Sequence, residues 1–292
     1  MSYSIRIILV RKKNKMGINK YCKEKLEKLT KKQFKRLIGI DRKTFDITVK
    51  VEEEAYKERH KKGGRKSRFT CFEMIVMTLL YLKQYNAMED IAFLFGTVKS
   101  VVCDIIHHVI QDLLKNKCFT LFGSKYVQED CSEDRIIDVT EIRIERPQKR
   151  QRVFYSGKKK YHTMKIQIIR GKDTGFIYEI QIGLGAEHDF GLFKRTFKGS
   201  PLNVCYEVDL GYLGILKIHS NCLIPNKSSK KHKLTNEEKE FNKLISSERV
   251  FIEHTNSWIK RFNILSTRFR NQLTYFAPIA VLLCAFYNCD IA

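Results

Sequence analysis

The most restrictive feature of this 292-residue chain is an acid inside an apolar strand. Residues Arg135–Ile144 read R-I-I-D-V-T-E-I-R-I. Ile136 and Ile137, then Ile142 and Ile144 beyond a short polar patch, suit a strand in the middle of a sheet. Asp138 sits inside that run, where a carboxylate is costly to desolvate unless a cation or hydrogen-bond donors compensate. Either it is a structural Asp bonded to a neighbouring loop, or the sheet presents it for use.

Charge narrows the choice. Lys and Arg outnumber Asp and Glu by 55 to 32, a formal net charge of +23. Such an excess repels itself in the folded state and calls for a polyanion, with nucleic acid first and an anionic membrane surface second. The membrane reading is weak, because no run reaches the roughly 18 consecutive apolar residues of a spanning helix. Residues 277–286 are broken by Pro278 and read as a core helix. Nine cysteines without a C-x-x-C pair argue for a reducing compartment and no structural zinc. The expectation is a soluble cytoplasmic protein, bacterial and nucleoid-associated, with no membrane partner.

Three segments are predicted: a basic arm over 1–25, a helical DNA-binding domain over 26–117 and a catalytic domain over 118–292. In the second, Leu29, Phe34, Leu37 and Ile38 recur at helix spacing until Gly39. A basic loop, H-K-K-G-G-R-K-S-R, follows a further helix over 42–54, and its Arg65 and Lys66 suit phosphate contacts. Thr70-x-x-Glu73 is a capping box opening an apolar helix. Helices over 87–95 and 100–114 around a turn at Gly96–Lys99 outline a helix-turn-helix, a plain helical bundle being the rival. The longer helix is expected to bury Val101, Val102, Ile105, Ile106, Val109 and Ile110 and to present Lys99 outward.

Beyond 118 the pattern becomes strand-rich. Lys149, Arg150, Arg152 and Lys158, Lys159 and Lys160 surround Phe154, Tyr155 and Tyr161, a mixture that grips a backbone and stacks on displaced bases. Residues 163–170 and 176–182 alternate as a hairpin. A helix over 187–197 precedes a strand over 204–208 that ends at Asp209. Residues 217–233 read as a loop, and a helix runs from about 235 to 262. On it Arg249, Glu253 and Lys260 share one stripe, with Phe251, Trp258 and Phe262 on a neighbouring apolar one.

This order has a physical meaning. Adjacent strands of an α/β sheet can bring Asp138 and Asp209 side by side, and a helix across the sheet can deliver Glu253. Three converging carboxylates repel unless divalent cations hold them. Mg²⁺ takes a few carboxylate oxygens and keeps places for water and phosphate. Two such ions about 3.5–4 Å apart serve phosphodiester chemistry. Asp189 competes for the second position; Asp209 is preferred because it ends a buried strand, whereas Asp189 opens a helix and can serve as its cap.

D-V-T-E-I with R-P and Y-S-G-K-K-K-Y-H-T-M-K, then H-D-F-x-L-F-K at 188–194, D-L-G-Y at 209–212 and S-S-E-R-V-F-I-E-H at 246–254 resemble the IS5-type DDE transposases, relatives of the Harbinger-like DDE superfamily endonucleases. The resemblance spans roughly Leu29 to Asn288. It implies an RNase H-like catalytic domain with a mixed sheet, preceded by an all-α helix-turn-helix domain, and a transposase that cuts and joins double-stranded DNA. Position by position it implies Asp138, Asp209 and Glu253 as catalytic residues and ligands of two Mg²⁺ ions, or Mn²⁺ in their place. Arg249 and Lys260 match its Arg-x3-Glu-x6-Lys signature and contact the DNA end. The implied partners are the element's terminal inverted repeats, target DNA and a second copy of the chain in a synaptic homodimer. Ser246 stands where the signature opens with Tyr, Val139 where a small residue follows the first Asp, and Asn271–Tyr275 replaces a basic run. These departures keep open the alternative of a degenerate copy that binds DNA without cleaving it.

Overall fold

The computed structural model describes residue 21, residues 23–229 and residues 233–292, and most of the expected basic arm lies outside them. The chain divides into two compact units, one reaching to Lys117 and including Phe262–Ile264, the other covering Cys118–Arg261 and Leu265–Ala292.

The first unit is helical. Its elements are α1 (Lys23–Glu27), α2 (Lys31–Ile38), α3 (Arg42–Arg59), α4 (Cys71–Gln84), α5 (Met88–Leu94) and α6 (Lys99–Lys115). The Thr70 side chain accepts from Glu73 N while Glu73 accepts from Thr70 N, so the predicted capping box forms at the start of α4. Gly39 ends α2 at φ 101°, and a Cβ there would sit 2.6 Å from the Phe262 ring. Only glycine accepts both the left-handed backbone and that ring. Phe34 and Phe45 meet edge to face at 5.3 Å, and α4 packs on α3 and α6. Helices α5 and α6 are bent by 103° across a short turn, the geometry of a helix-turn-helix. Helix α6 buries Val102, Ile105, Ile106, Val109 and Ile110, but Val101, expected inside, is 36% exposed. Its position borders the buried stripe rather than lying on it.

The second unit is a mixed α/β fold with the RNase H-like architecture. After α7 (Gly123–Glu129) come β1 (Arg135–Arg143), α8 (Gln151–Phe154), β2 (Tyr155–Ser156), β3 (Tyr161–Gly171), β4 (Ile177–Leu184), α9 (Asp189–Thr196), β5 (Tyr206–Glu207), β6 (Cys222–Leu223), α10 (Asn236–Lys260) and α11 (Phe276–Ile291). The main sheet has the order β4-β3-β1-β5-β6, and β2 also pairs with β3. The β1–β3 and β3–β4 pairs are antiparallel, whereas β1–β5 and β5–β6 are parallel. Strand β6 falls in the stretch expected to be a structureless loop. Its two residues are too few to show any alternation, and their pairing with β5 supplies the order.

Helix α10 packs on β1 and α11, while α11 packs on β4. Residues 273–291 are long and apolar enough to cross a membrane by length and composition, yet α11 lies within this fold as a core helix. Its Asn288 side chain receives Ile177 N and donates to Ile177 O, both at 2.8 Å, closing the edge of β4. Phe251 of α10, expected in the core, is 55% exposed; Ile252 is the residue that turns inward.

Glu133, just before β1, anchors the β3–β4 turn. It accepts from Asp173 N at 2.6 Å, Thr174 N at 3.0 Å, Thr174 Oγ1 and the Tyr178 hydroxyl. Burial would raise its pKa, but these hydrogen bonds outweigh burial and hold it below the ordinary 4.5. The stability it supplies is therefore present above the unfolded value and lost as pH falls through the depressed folded one. Glu133→Gln is expected to lower the unfolding free energy at neutral pH by about 1–3 kcal/mol. In denaturant titrations the gap from the unsubstituted protein should close below the ordinary carboxylate pKa.

Candidate active site

Asp138 is the fourth residue of β1. Its register partner on β3 is Ile168, and Ile136 stands opposite Glu207 on β5. Carrying that parallel register two residues further brings Asp138 level with Asp209, which ends the β5 segment. Asp209 caps a short 3₁₀ turn, Leu210–Tyr212, its Oδ1 accepting from Gly211 N at 2.8 Å. Asp189, expected as a helix cap, makes no cap at the start of α9 and pairs with Lys165 Nζ at 2.7 Å.

Lys165 starts on the sheet face opposite Asp138, while its partner Asp189 reaches toward Asp209, both carboxylates lying close to Gly211. Lys165 stands opposite Glu141 in the β1–β3 register, and side chains 138 and 141 alternate to opposite faces. Lys165 also donates to Glu187 O at 2.6 Å, which accounts for a nearly buried lysine.

Helix α10 covers the Asp138 face. Arg249 Nη2 meets Asp138 Oδ1 at 3.2 Å, and Asn256 Nδ2 donates to Asp138 Oδ2 at 2.7 Å. Burial pushes Asp138 up to about 6; Arg249 and Asn256 lower it, while the nearby Asp209 charge adds to the rise. The buried Tyr212 hydroxyl senses Asp189, Asp138 and Asp209 together, and burial with these charges raises its pKa well above the usual value. Lys260, at the end of α10, is pulled down by desolvation and by Lys159, with Asp138 and Glu141 opposing, so all four lie within electrostatic reach. One more bridge fixes the helix: Lys172, after β3, joins buried Glu207 of β5 to Glu248, the residue before Arg249.

Glu253 occupies the same α10 stripe, four residues after Arg249 and three before Asn256, and its side chain is exposed. Among the described residues no three His, Cys, Asp or Glu side chains gather closely enough to hold a metal ion. The donor set nevertheless suits one. Two acids on neighbouring strand segments offer hard oxygen ligands, and Asn256 Oδ1 is a buried acceptor with no partner among the described residues.

The remaining site candidates fall in two places. Lys158, Lys159 and Lys160 form the exposed turn before β3, beside the part-exposed Tyr155 and Tyr161. Arg65 and Lys66 belong to the first unit, where their loop and the start of α6 line a cavity of about 1040 Å³. Lys99 is exposed but pairs with Glu89 at 2.6 Å. Sequence reasoning missed Asn256 and Lys165. The interval of seven from Arg249 to Asn256 was the available signal for the first.

A mixed sheet with one acid inside β1 and another just past its parallel neighbour β5, crossed by a helix carrying Arg, Glu and Lys, is the arrangement expected of a DDE-type nuclease. Residues 137–288 match the family described as DDE superfamily endonuclease. The chain is also 35% identical over 273 residues to a protein of Microchaete diplosiphon named probable transposase for insertion sequence element IS702, covering 92% of this chain and 98% of that one. No solved structure gives a significant match. The chain belongs to the DDE superfamily endonucleases, as a transposase of the IS5 kind.

Gly211 offers a local probe. A Cβ there would lie 2.8 Å from Asp209 Oδ1 and 3.3 Å from Asp189 Oδ2. Gly211→Ala should displace the Asp209 carboxylate at little cost to folding, because only side-chain ends must move. Melting within a few degrees of the parent and DNA cleavage down by about tenfold or more are expected.

Proposed function

We propose that this transposase cleaves DNA at the ends of its element and joins those ends to target DNA by two-ion phosphodiester chemistry. The observation that carries the reading is the half-buried Asp138, level with Asp209 and held by Arg249 and Asn256 beneath α10. A carboxylate crowded by burial and by a second acid beside it is poised to take a divalent cation. Asp138, Asp209 and Glu253 would hold the ions. Bound there, Mg²⁺ or Mn²⁺ supplies Lewis-acid stabilisation of the phosphodiester and a more acidic water or hydroxyl.

The chain's own side chains supply the rest. Lys158, Lys159 and Lys160 line the DNA channel, with Lys260 beside Lys159 near the reacting phosphate. Tyr155 and Tyr161 offer faces for a displaced base. Arg65, Lys66 and Lys99 hold duplex phosphates against the helix-turn-helix domain. In the first step water attacks phosphorus and the bond to the 3′ oxygen breaks, which takes up a proton as the 3′-hydroxyl. In the second, that hydroxyl attacks a target phosphodiester in line and the target's own 3′ oxygen leaves. Two ends must be held together, which requires at least two copies of the chain.

The second reading, a copy that binds DNA without cutting, is favoured by the exposed Glu253 and by Arg249 seated on Asp138. Asp138→Asn separates the two. Mg²⁺-dependent nicking of a duplex carrying the element's terminal repeat should fall by about a thousandfold, ~4 kcal/mol in barrier, with duplex affinity kept. Equal binding with no cutting by either protein establishes the second reading. Replacing Lys158, Lys159 and Lys160 together by Ala should reduce the slope of log affinity against log salt by about 2.7, from roughly 0.9 per phosphate contact, measured by fluorescence anisotropy.

A further inference from the structure

The two α10 side chains on Asp138 differ in kind. Asn256 donates at 2.7 Å from a neutral amide, whereas Arg249 makes one contact at 3.2 Å from a cation. Each takes a different carboxylate oxygen, so α10 engages both. We propose that they divide control of the acid: Asn256 is a positioning residue that aims the carboxylate, and Arg249 is a resident cation that DNA draws away so that a divalent ion can take its place. The inference rests on the reading of Asp138 as an ion ligand.

The Arg249 contact is built to be exchanged. A strong guanidinium–carboxylate pair is two-pronged and shorter than 3 Å; this one uses a single nitrogen, and Arg249 Nε is buried with no partner among the described residues. A DNA phosphate offers two oxygens to the Nε and Nη2 fork at once, satisfying the donor that Asp138 leaves idle. Asn256 has no charge to oppose an incoming cation. Its amide can stay on Oδ2 while Oδ1 is vacated, as outer hydrogen bonds do when they orient a ligating carboxylate. Its own Oδ1 is buried and unpartnered among the described residues, an unfavourable state that a purely structural amide would have no reason to carry.

Because phosphate and ion compete with the same Asp138–Arg249 contact from opposite sides, each must strengthen the binding of the other by an equal factor. The energetic link is local. It needs no movement of the sheet, only a side-chain rotation on α10.

The test measures Mn²⁺ binding to the full chain by electron paramagnetic resonance, with and without a short blunt duplex. Asp138→Asn sets the baseline, since duplex itself binds Mn²⁺. The duplex should tighten Asp138-dependent binding by about tenfold, within the usual range of coupling factors. Arg249→Gln should tighten it by a similar factor without DNA and remove the duplex effect. Asn256→Ala should weaken it by about 10–100-fold with the melting temperature nearly kept, and Asn256→Ser, which retains a donor, should recover part of the loss. If Mn²⁺ binding is the same in Asp138→Asn as in the parent, the ion reading of the site fails and the inference falls with it. If binding depends on Asp138 but Arg249→Gln weakens it, or Asn256→Ala leaves it unchanged, the site reading stands and the division of control is overturned.

Discussion

The structure turns on one half-buried carboxylate set into the middle of a sheet. Asp138 sits on a strand that pairs with β3 on one side and, just before it, with β5 on the other, and its hydrogen-bond donors come from the helix above. That requirement fixes where α10 lies. Arg249 and Asn256 reach the acid only if the helix crosses β1 at one height and one rotation. The Lys172 bridge between Glu207 and Glu248 sets the height one residue before Arg249. Thr255, receiving Arg170 Nη1 at 3.2 Å and donating to the Tyr287 hydroxyl at 3.1 Å, sets the rotation one residue before Asn256. The two contacts on Asp138 are thus each flanked by a buried polar contact.

The same solution recurs below the site. Arg135, at the start of β1, is fully buried and donates to Val127 O, Asp130 O, Ser200 Oγ and the Tyr206 hydroxyl. Lys165 is held by Glu187 O and Asp189 on the opposite face. Buried charges of this sort add little net stability compared with apolar side chains of equal size. They do make wrong registers expensive, because a slip of one residue would turn Asp138 and Arg135 to the other face and strand both.

How much of this was legible depended on how local the determinant is. The acid inside an apolar run, the Thr70 capping box, the αL glycine at 39 and the outline of the helix-turn-helix depend on neighbours within a few residues, and each is visible in the string. Asp209 was legible because it follows an apolar run directly. Asn256 was not, since its partner is Asp138, more than a hundred residues away, and an Asn in a helix stripe has no distinguishing mark. Lys165 was read as the polar half of an alternation, but β3 is covered on both faces, so a residue that looked solvent-facing had to find Asp189 instead. Phe251 was assigned inward on hydrophobicity alone; the stripe that meets the sheet is set by Arg249 and Asn256, and Phe251 lies off it.

The exposed position of Glu253 follows from the same electrostatics. Two unit charges at about 4 Å in a medium of effective dielectric near 20 repel by ~4 kcal/mol. Burial is the main reason the pKa of Asp138 is raised, with the Asp209 charge adding to it and Arg249 opposing. A third carboxylate pressed between them would add two more repulsions that one guanidinium could not balance. Placed on the solvent side of the stripe, Glu253 avoids that cost. With +23 overall, the chain's surface attracts the polyanion that the proposed chemistry would act on.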